Sequence, residues 1–363
     1  MINSILNLME QKMKRILVIR NDKIGDFMLA WPAFAMLKHS MPEAEITALV
    51  PNYTRDLAEL CPYIDNVLID CGKKASKKQK SALIEQIKNI GFDASICLFS
   101  DSYNAKLVWL ARIPARFAPA TKLCQLLYNH RVLQRRSQSV KPEFEYNLDL
   151  IRSFLRHEQA AIIEPSAPYY RFRTKQITEQ KNKLIAALHL DATKPWLFVH
   201  SGSGGSANNL SLPQYAELVE RINVDNVFEV ILTAGPGEEQ QAAGLQSLLK
   251  SKGLLAALYM RNDGLVDFTC SIACAGGFIS GSTGPLHIAA ALDIPTIGFF
   301  PAKRSATPLR WQPINSSGRH LSFAPPTDTD KDIASDMSKI EMAAIAPDIK
   351  QFLTRMLVEA HAE

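Results

Sequence analysis

The sequence predicts an α/β protein made of two Rossmann-like domains facing a central cleft. Short apolar runs alternate with helical patterns in both halves of the chain, the signature of parallel strands covered on both faces by helices. A length of 363 residues is ample for two hydrophobic cores. Between the two sets of strands, over residues 158–194, strand content falls, and a Pro-rich EPSAPYY precedes a long polar helix, TKQITEQKNKLIAALHL.

In chain order, the first half offers strands at 15–20, 45–50, 67–70 and 94–99, and the second at 196–200, 227–233, 255–259, 277–280 and 296–300. The boundary is expected near 171–175, giving an N-terminal domain 1–172, a C-terminal domain 173–340 and a terminal segment 341–363. From Met342 onward that last segment, MAAIAPDIKQFLTRMLVEAHAE, reads as an amphipathic helix.

Composition narrows the function classes. Hydrophobic residues at 47% and charged residues at 21% fit a folded globular chain and exclude a disordered one. The balance of 41 Lys+Arg against 36 Asp+Glu leaves +5, too mild to argue for nucleic acid, and no recognised nucleic-acid-binding module is present. The cysteines form no CxxC pair and no Cys/His cluster at metal spacing, which suggests reduced thiols in a cytosolic fold, with Cys270 and Cys274 as core residues of a helix. MINSILNLMEQKMKR lacks an apolar run of signal-peptide length, and no later stretch reaches the ~20 apolar residues of a membrane span. The expected location is cytoplasmic, with contact to a membrane surface still open.

The first segment with chemical content is RNDKIGDFMLAWP, which begins where the first strand runs out. Asp26 follows Gly25 at the mouth of a helix over 27–38 whose apolar face carries Phe27, Leu29, Ala30, Ala33 and Leu37. Two roles fit it: a helix cap, or a carboxylate that the positive helix end favours in its charged form, ready to take a proton from a hydroxyl. Asp22 and Lys23 read as exposed loop charges, with Lys23 a lesser candidate for acceptor or phosphate contact.

The most informative segment is GGFISGSTGPLHIAAALDIPTIGFFP at 276–301. A strand meets a small-residue turn, Gly281-Ser282-Thr283-Gly284, and a helix starts at Pro285, where a missing N–H costs nothing. The free N–H groups there, including that of Leu286, suit a phosphate, with the Ser282 and Thr283 hydroxyls as further donors. Bare capping by either hydroxyl is the other reading. His287, one turn in, either reaches a ligand or packs against the neighbouring strand.

Two further turns resemble it. After the strand at 196–200, Ser201, Gly202, Ser203, Gly204 and Gly205 let the backbone approach a ligand, or form a flexible βα loop. In TAGPGEEQQA, Glu238 and Glu239 head a helix, where a carboxylate binds a ribose diol or complements the helix dipole. His200 ends its strand as a plausible ligand neighbour.

From Ser102 to Pro142 the chain has no Asp or Glu, while Lys106, Arg112, Arg116, Lys122, Arg131, Arg135, Arg136 and Lys141 all fall there, with Tyr103, Trp109, Phe117 and Tyr128 interleaved. Such a face suits an anionic partner or an anionic membrane surface. The lysine run KKASKKQK at 73–80 reads as a solvated loop.

The pattern RxDKIGDxxLxxPxxxxLKxxxPxAxIxxLV from Arg20 to Val50, taken with GSTGPLHIAAALDIPTIGFF, resembles glycosyltransferase family 9, the lipopolysaccharide heptosyltransferases. The resemblance implies a GT-B fold with the acceptor on the N-terminal domain and an ADP-heptose donor held mainly by the C-terminal one. It implies that Asp26 is the general base of an inverting transfer to a Kdo or heptose residue of the lipopolysaccharide core. The phosphate-binding turn then falls on Thr283, Gly284 and Pro285, the ribose carboxylate on Glu238 or Glu239, and Lys23, Arg112, Arg116, Lys122, Arg131, Arg135 and Arg136 become acceptor-binding candidates. It also implies that the terminal helix crosses back to brace the N-terminal domain. No Asp-x-Asp signature stands out where a divalent ion would bridge phosphates, so no required metal or other cofactor is expected.

The chain departs from the family pattern in places. Ser282 stands where many relatives have Asp, Ala207-Asn208-Asn209-Leu210 where a lysine is common, and FFPAKRSATPLRW where FGPT is usual. Lys303, Arg304 or Arg310 is expected to supply the missing cation near the donor phosphates. The departures leave room for another sugar or acceptor on the same fold, or for a sugar-nucleotide-binding protein without transfer activity.

Overall fold

The computed structural model describes residues 13–204 and 208–362, so Gly205, Ala207 and most of the N-terminal MINSILNLMEQKMKR lie outside the described residues. The chain divides into two compact units, Met1–Gln134 with Phe144–Pro165, and Arg135–Glu143 with Ser166–Glu363.

In the first unit the elements run β1 (Arg15–Ile19), α1 (Ile24–Met28), α2 (Trp31–Ser40), β2 (Glu45–Pro51), α3 (Arg55–Leu60), β3 (Asn66–Asp70), α4 (Lys77–Ile90), β4 (Ala94–Cys97), α5 (Ser102–Leu110), β5 (Ala115–Pro119), a 3₁₀ turn Leu123–Leu127 and β6 (His130–Val132), with α6 (Glu143–His157) closing it. The strands form one sheet of order β3-β2-β1-β4-β5-β6, every pair parallel. Central β1 has Ile16, Leu17, Val18 and Ile19 fully buried, as a strand covered by helices on both faces must be. Leu17 and Ile19 point into a core with Leu83 and Ile87 of α4 and Leu107 and Val108 of α5.

The single helix expected over 27–38 is broken into α1 and α2. Pro32 has no N–H to give the Met28 carbonyl, and its ring clashes there, so the chain re-enters the helix with Pro32 in its first turn. Strands β5 and β6 were not expected. ARFAP and HRV carry too few apolar residues to show a strand pattern, and their pairing to a preformed sheet edge defines them.

The second unit contains α7 (Thr174–Leu188), β7 (Trp196–His200), α8 (Leu212–Ile222), β8 (Glu229–Thr233), α9 (Glu239–Ser251), β9 (Ala257–Tyr259), α10 (Leu265–Ile272), β10 (Gly277–Gly281), α11 (Gly284–Ala291), β11 (Thr296–Phe299), β12 (His320–Phe323) and α12 (Met342–Ala362). Its parallel sheet has the order β12-β11-β10-β7-β8-β9, the same winding as the first. The terminal helix groups with the second unit. Met342, Ala346, Ile349, Phe352, Leu353 and Met356 of α12 are buried with α8 and the sheet of the second unit, and that apolar stripe fixes where the helix belongs. The Arg135–Glu143 segment also groups with the second unit, where Arg136 and Arg310 both bind the Glu143 carboxylate.

Candidate functional site

In each sheet the strand order reverses beside the first strand of the unit, between β1 and β4 and between β7 and β10. The loops beyond the carboxyl ends of these strands are where a doubly wound fold leaves a crevice for ligands.

In the first unit that loop runs from Arg20 to Asp26. Arg20 is 1% exposed, and its guanidinium donates from Nη2 to Asp26 Oδ1 at 2.6 Å, from Nε to Asp22 Oδ1 at 2.9 Å and from Nη1 to Asn147 Oδ1 at 3.3 Å. Asn147 donates onward to the Leu29 carbonyl at 3.0 Å, which ties the loop to α6. Asp26 does not cap its helix: Lys23 holds the cap position without a side-chain bond, and Asp26 lies in the first turn. Its Oδ1 is fixed by Arg20, while Oδ2 accepts no hydrogen bond among the described residues and the side chain remains 17% exposed. A carboxylate oriented through one oxygen and open at the other has the geometry of a base waiting for a hydroxyl. Burial, together with the charges of Asp22 and Asp26, pushes the Tyr53 phenol above its ordinary range. Its hydroxyl donates to the Asp22 carbonyl at 2.6 Å.

Beside this loop lies a polar network that sequence reasoning missed. Asn21 donates to Asp70 at 2.7 Å and to Asn104 at 2.8 Å, and the Tyr103 hydroxyl donates to Asp70. The available signal was positional: Asp70 ends β3, Asn21 lies just beyond β1 and Asn104 is in the first turn of the helix after β4, all at the carboxyl edge of the sheet. Arg20 gave no such signal, because an arginine at a strand end ordinarily reads as a surface charge.

The basic acceptor candidates separate. Lys23 is exposed in the Asp26 loop. Arg112 follows α5 and Arg116 begins β5, at the amino edge of the parallel sheet, opposite the Asp26 loop. Arg116 is moreover consumed by structure, donating to the Leu127 carbonyl at 2.9 Å and the Ile113 carbonyl at 2.6 Å. Both are therefore withdrawn as acceptor contacts. Lys122, Arg131 and Arg135 are exposed, whereas Arg136 donates to Glu143 at 2.7 Å and is a structural cation of the second unit.

In the second unit, Glu238 joins two loops. Its Oε1 accepts from the Gly204 N–H at 2.6 Å, its Oε2 from the Gly235 N–H at 2.8 Å, and His200 Nε2 lies 3.4 Å from Oε2. A side chain at Gly202 would begin 2.1 Å from the Glu238 carboxyl carbon and would displace that carboxyl group from its two N–H donors. Glu238 is 9% exposed with each oxygen already accepting a backbone N–H, whereas Glu239, exposed in the first turn of α9, is the freer of the two ribose candidates. Burial holds the His200 imidazole below its ordinary value, outweighing the attraction of Glu238, and the ring stays neutral near pH 7.

Asn209 performs a similar clasp. Its Nδ2 donates to the Ser201 and Gly202 carbonyls at 2.8 and 3.1 Å, and its Oδ1 accepts from the Tyr215 hydroxyl at 2.7 Å. A Cβ at Gly281 would fall 2.5 Å from that same Oδ1. The loops after β7, β8 and β10 are thus interlocked, which shapes a preformed edge at Ser201, Gly202, Ser203 and Gly204.

At the β10–α11 turn, Thr283 occupies the cap position, yet its hydroxyl bonds Ser280 Oγ at 2.8 Å and not the helix. The first N–H groups of α11, at Gly284 and Leu286, have no intrahelical carbonyl partner, and Pro285 has no N–H to satisfy. Ser282 is half-buried at the same turn, its own N–H given to Phe299 at 3.1 Å. His287 is 2% exposed, and burial together with nearby His320 pushes its pKa down to about 3, so it packs as a neutral ring and is corrected from donor contact to core. In the loop after β11, Lys303 and Arg304 form no ion pair among the described residues, while Arg310 is held by Glu143 and is not the replacement cation. Among the described residues no group of three or more His, Cys, Asp or Glu is disposed to hold a metal. No described helix is long and apolar enough to cross a membrane.

Two doubly wound sheets of this kind, one carrying the oriented carboxylate and the other the anion-ready turn, make up the GT-B architecture of nucleotide-sugar-dependent transferases. Residues 81–340 match the family described as glycosyltransferase family 9 (heptosyltransferase), and the chain belongs to that family. A Haemophilus influenzae protein, itself named only provisionally as a glycosyltransferase, is 51% identical over 331 residues, covering 91% of this chain and 95% of that one. The solved Escherichia coli ADP-heptose lipopolysaccharide heptosyltransferase II superposes with a TM-score of 0.74 at 17% identity, over 94% of this chain and 99% of that one. E. coli heptosyltransferase WaaC with ADP gives 0.69 at 15% identity, over 93% and 99%. The chain is accordingly a glycosyltransferase enzyme.

Proposed function

We propose that the protein transfers a heptose, with inversion, from ADP-heptose to a Kdo or heptose residue of the lipopolysaccharide inner core. The observation that carries this reading is Asp26, oriented through Oδ1 by Arg20 and open at Oδ2. Family membership and the ADP-heptose named for E. coli heptosyltransferase II support the donor.

Asp26 Oδ2 takes the proton of the acceptor hydroxyl as its oxygen bonds to the anomeric carbon. The bond to the ADP oxygen breaks on the opposite face, and the electron pair leaves with the diphosphate. The hydroxyl becomes acidic only as that bond forms, so a carboxylate is a sufficient base. The N–H groups of Gly284 and Leu286, the Ser282 hydroxyl, and Lys303 and Arg304 meet the charge that develops on the departing ADP. These fixed dipoles and cations do the work of a metal, so turnover is expected to be the same in magnesium and in a chelator. Glu239 engages the adenosine ribose, and Lys23 the anionic acceptor.

Incubation with ADP-heptose and a panel of Kdo-bearing acceptors, read by mass spectrometry, tests the proposal. A product heavier by one heptose is expected. Transfer from a different nucleotide sugar would move the reading to the same fold with another donor, an alternative favoured by Ser282 standing where many relatives have a carboxylate. Tight ADP binding with no product from any donor would leave a sugar-nucleotide-binding protein.

A further inference from the structure

The 3₁₀ turn Leu123–Leu127, sequence LCQLL, is apolar on both sides. Cys124 and Leu127 pack inward against the core around Leu107, Val108 and Tyr128. Leu123 and Leu126 then have nowhere to go but outward, and they are 86% and 72% exposed. In a helix of three residues per turn, positions three apart lie one above the other, so the two leucines form a single apolar ridge.

The neighbouring helix adds further exposed apolar groups. The 3₁₀ turn packs against α5, whose exposed residues Ser102, Lys106, Trp109 and Leu110 fall on one helical face. Trp109 is 50% exposed and Leu110 46%. Lys106 is exposed on α5, Arg112 just beyond its end and Lys122 immediately before the 3₁₀ turn, and no acidic residue occurs anywhere between Ser102 and Pro142. Singly exposed leucines are ordinary, but apolar side chains clustered in this way mark a contact surface.

We propose that this face docks on an anionic lipid bilayer, with Leu123 and Leu126 inserted below the headgroups and Trp109 at the interface. Charge and shape favour a bilayer over a protein partner. Lysine is depleted in the cores of protein interfaces, whereas basic residues ringing projecting apolar side chains match a layer of anions above hydrocarbon. Long lysine and arginine stems lie along the interface while their charges reach the headgroups. The inference needs no particular donor or acceptor, so it stands or falls apart from the transfer reaction.

Co-sedimentation of the full chain, without substrates, with vesicles of phosphatidylethanolamine alone or mixed with phosphatidylglycerol tests it. Binding to the mixed vesicles, its loss at high salt and its near absence on neutral vesicles are expected. Leu123→Ser with Leu126→Ser should weaken the binding by roughly a hundredfold, given the transfer energy of two leucines. Arg112→Glu with Lys122→Glu should weaken it about tenfold or more. Brominated acyl chains should quench wild-type fluorescence, and Trp109→Phe should abolish the quenching. All these positions are solvent-exposed, and an unchanged thermal midpoint verifies that the variants fold. Equal sedimentation of wild type and the serine pair, equal binding to neutral and anionic vesicles, or no sedimentation at all would overturn the proposal.

Discussion

Asp26 and Glu238 begin from the same sequence signal and end in opposite conditions. Each is an acidic residue in a glycine-containing loop between a parallel strand and the head of a helix. Asp26 is held by one oxygen through Arg20 and keeps the other open. Glu238 has both oxygens bonded to backbone N–H groups, at Gly204 and Gly235. A carboxylate oriented by a side chain stays available for chemistry, whereas one saturated by backbone donors fastens loops together. The difference lies in the donors: one side chain for Asp26, and for Glu238 two backbone N–H groups, of which Gly204 comes from another loop.

The largest expected effect is at the open carboxylate. Asp26→Asn should lower kcat by roughly 10³-fold, in the range of a lost general base, with ADP affinity and thermal midpoint unchanged. Stopped turnover assays and calorimetric titration with ADP check both halves. A variant that loses ADP binding together with turnover would put Asp26 on the same footing as Glu238.

At the saturated carboxylate the order reverses. Gly202→Ala puts a methyl group where the Glu238 carboxyl group lies and must displace it from its N–H donors, so ADP binding and stability should both fall, stability by about 1–3 kcal/mol. Glu238→Gln presents an amide where two N–H donors need acceptors, and should cost about 1–3 kcal/mol of stability. Urea melts read both. Intact stability in Glu238→Gln with an altered KM for the donor would make Glu238 a ligand after all.

A smaller effect is expected beside the anion-ready turn. Lys303→Ala and Arg304→Ala should each raise the KM for the donor several-fold, by about 1 kcal/mol, more at low salt than at high. If both leave donor affinity and turnover unchanged, another group neutralises the diphosphate.

The most gradual effect is in acid. His287 and His320 are buried and pushed down to about 3 and about 4, chiefly by desolvation, and His200 is also lowered by burial. These rings stay neutral in the folded protein while the unfolded chain takes up protons below about pH 6.5. Stability is therefore complete above that pH and falls as the pH drops toward 4, by about 1.4 kcal/mol per pH unit for each histidine fully in that window. Urea midpoints at pH 7 and pH 5 measure it, and His287→Leu should flatten the slope by one histidine's share. The decline should be steeper in the second unit, which holds His200, His287 and His320.

Most of the architecture is legible in the residues because central parallel strands are apolar throughout; Ile16 to Ile19 and Trp196 to His200 announce themselves. Edge strands do not. HRV and HLSF become strands through a neighbour's backbone, and nothing in their own composition carries that information. The candidate site was legible where a turn is local, at Thr283-Gly284-Pro285. It was illegible where function depends on a distant partner: Asn147 holding Arg20 against Asp26, Glu238 closing on Gly204, and Arg310 taken up by Glu143. Arg112 and Arg116 failed for a topological reason, since a basic window in sequence spans both edges of a sheet.

The interlock at Gly202 constrains how this loop can change over time. Because the Glu238 carboxyl group fills the volume a β-carbon at position 202 would occupy, any larger residue there is tolerated only after Glu238 has been shortened or reoriented. The two sites form an ordered, compensatory pair: an alanine at 202 should be deleterious on the native background and close to harmless beside Glu238→Ala, so homologues are expected to exchange both positions together or neither.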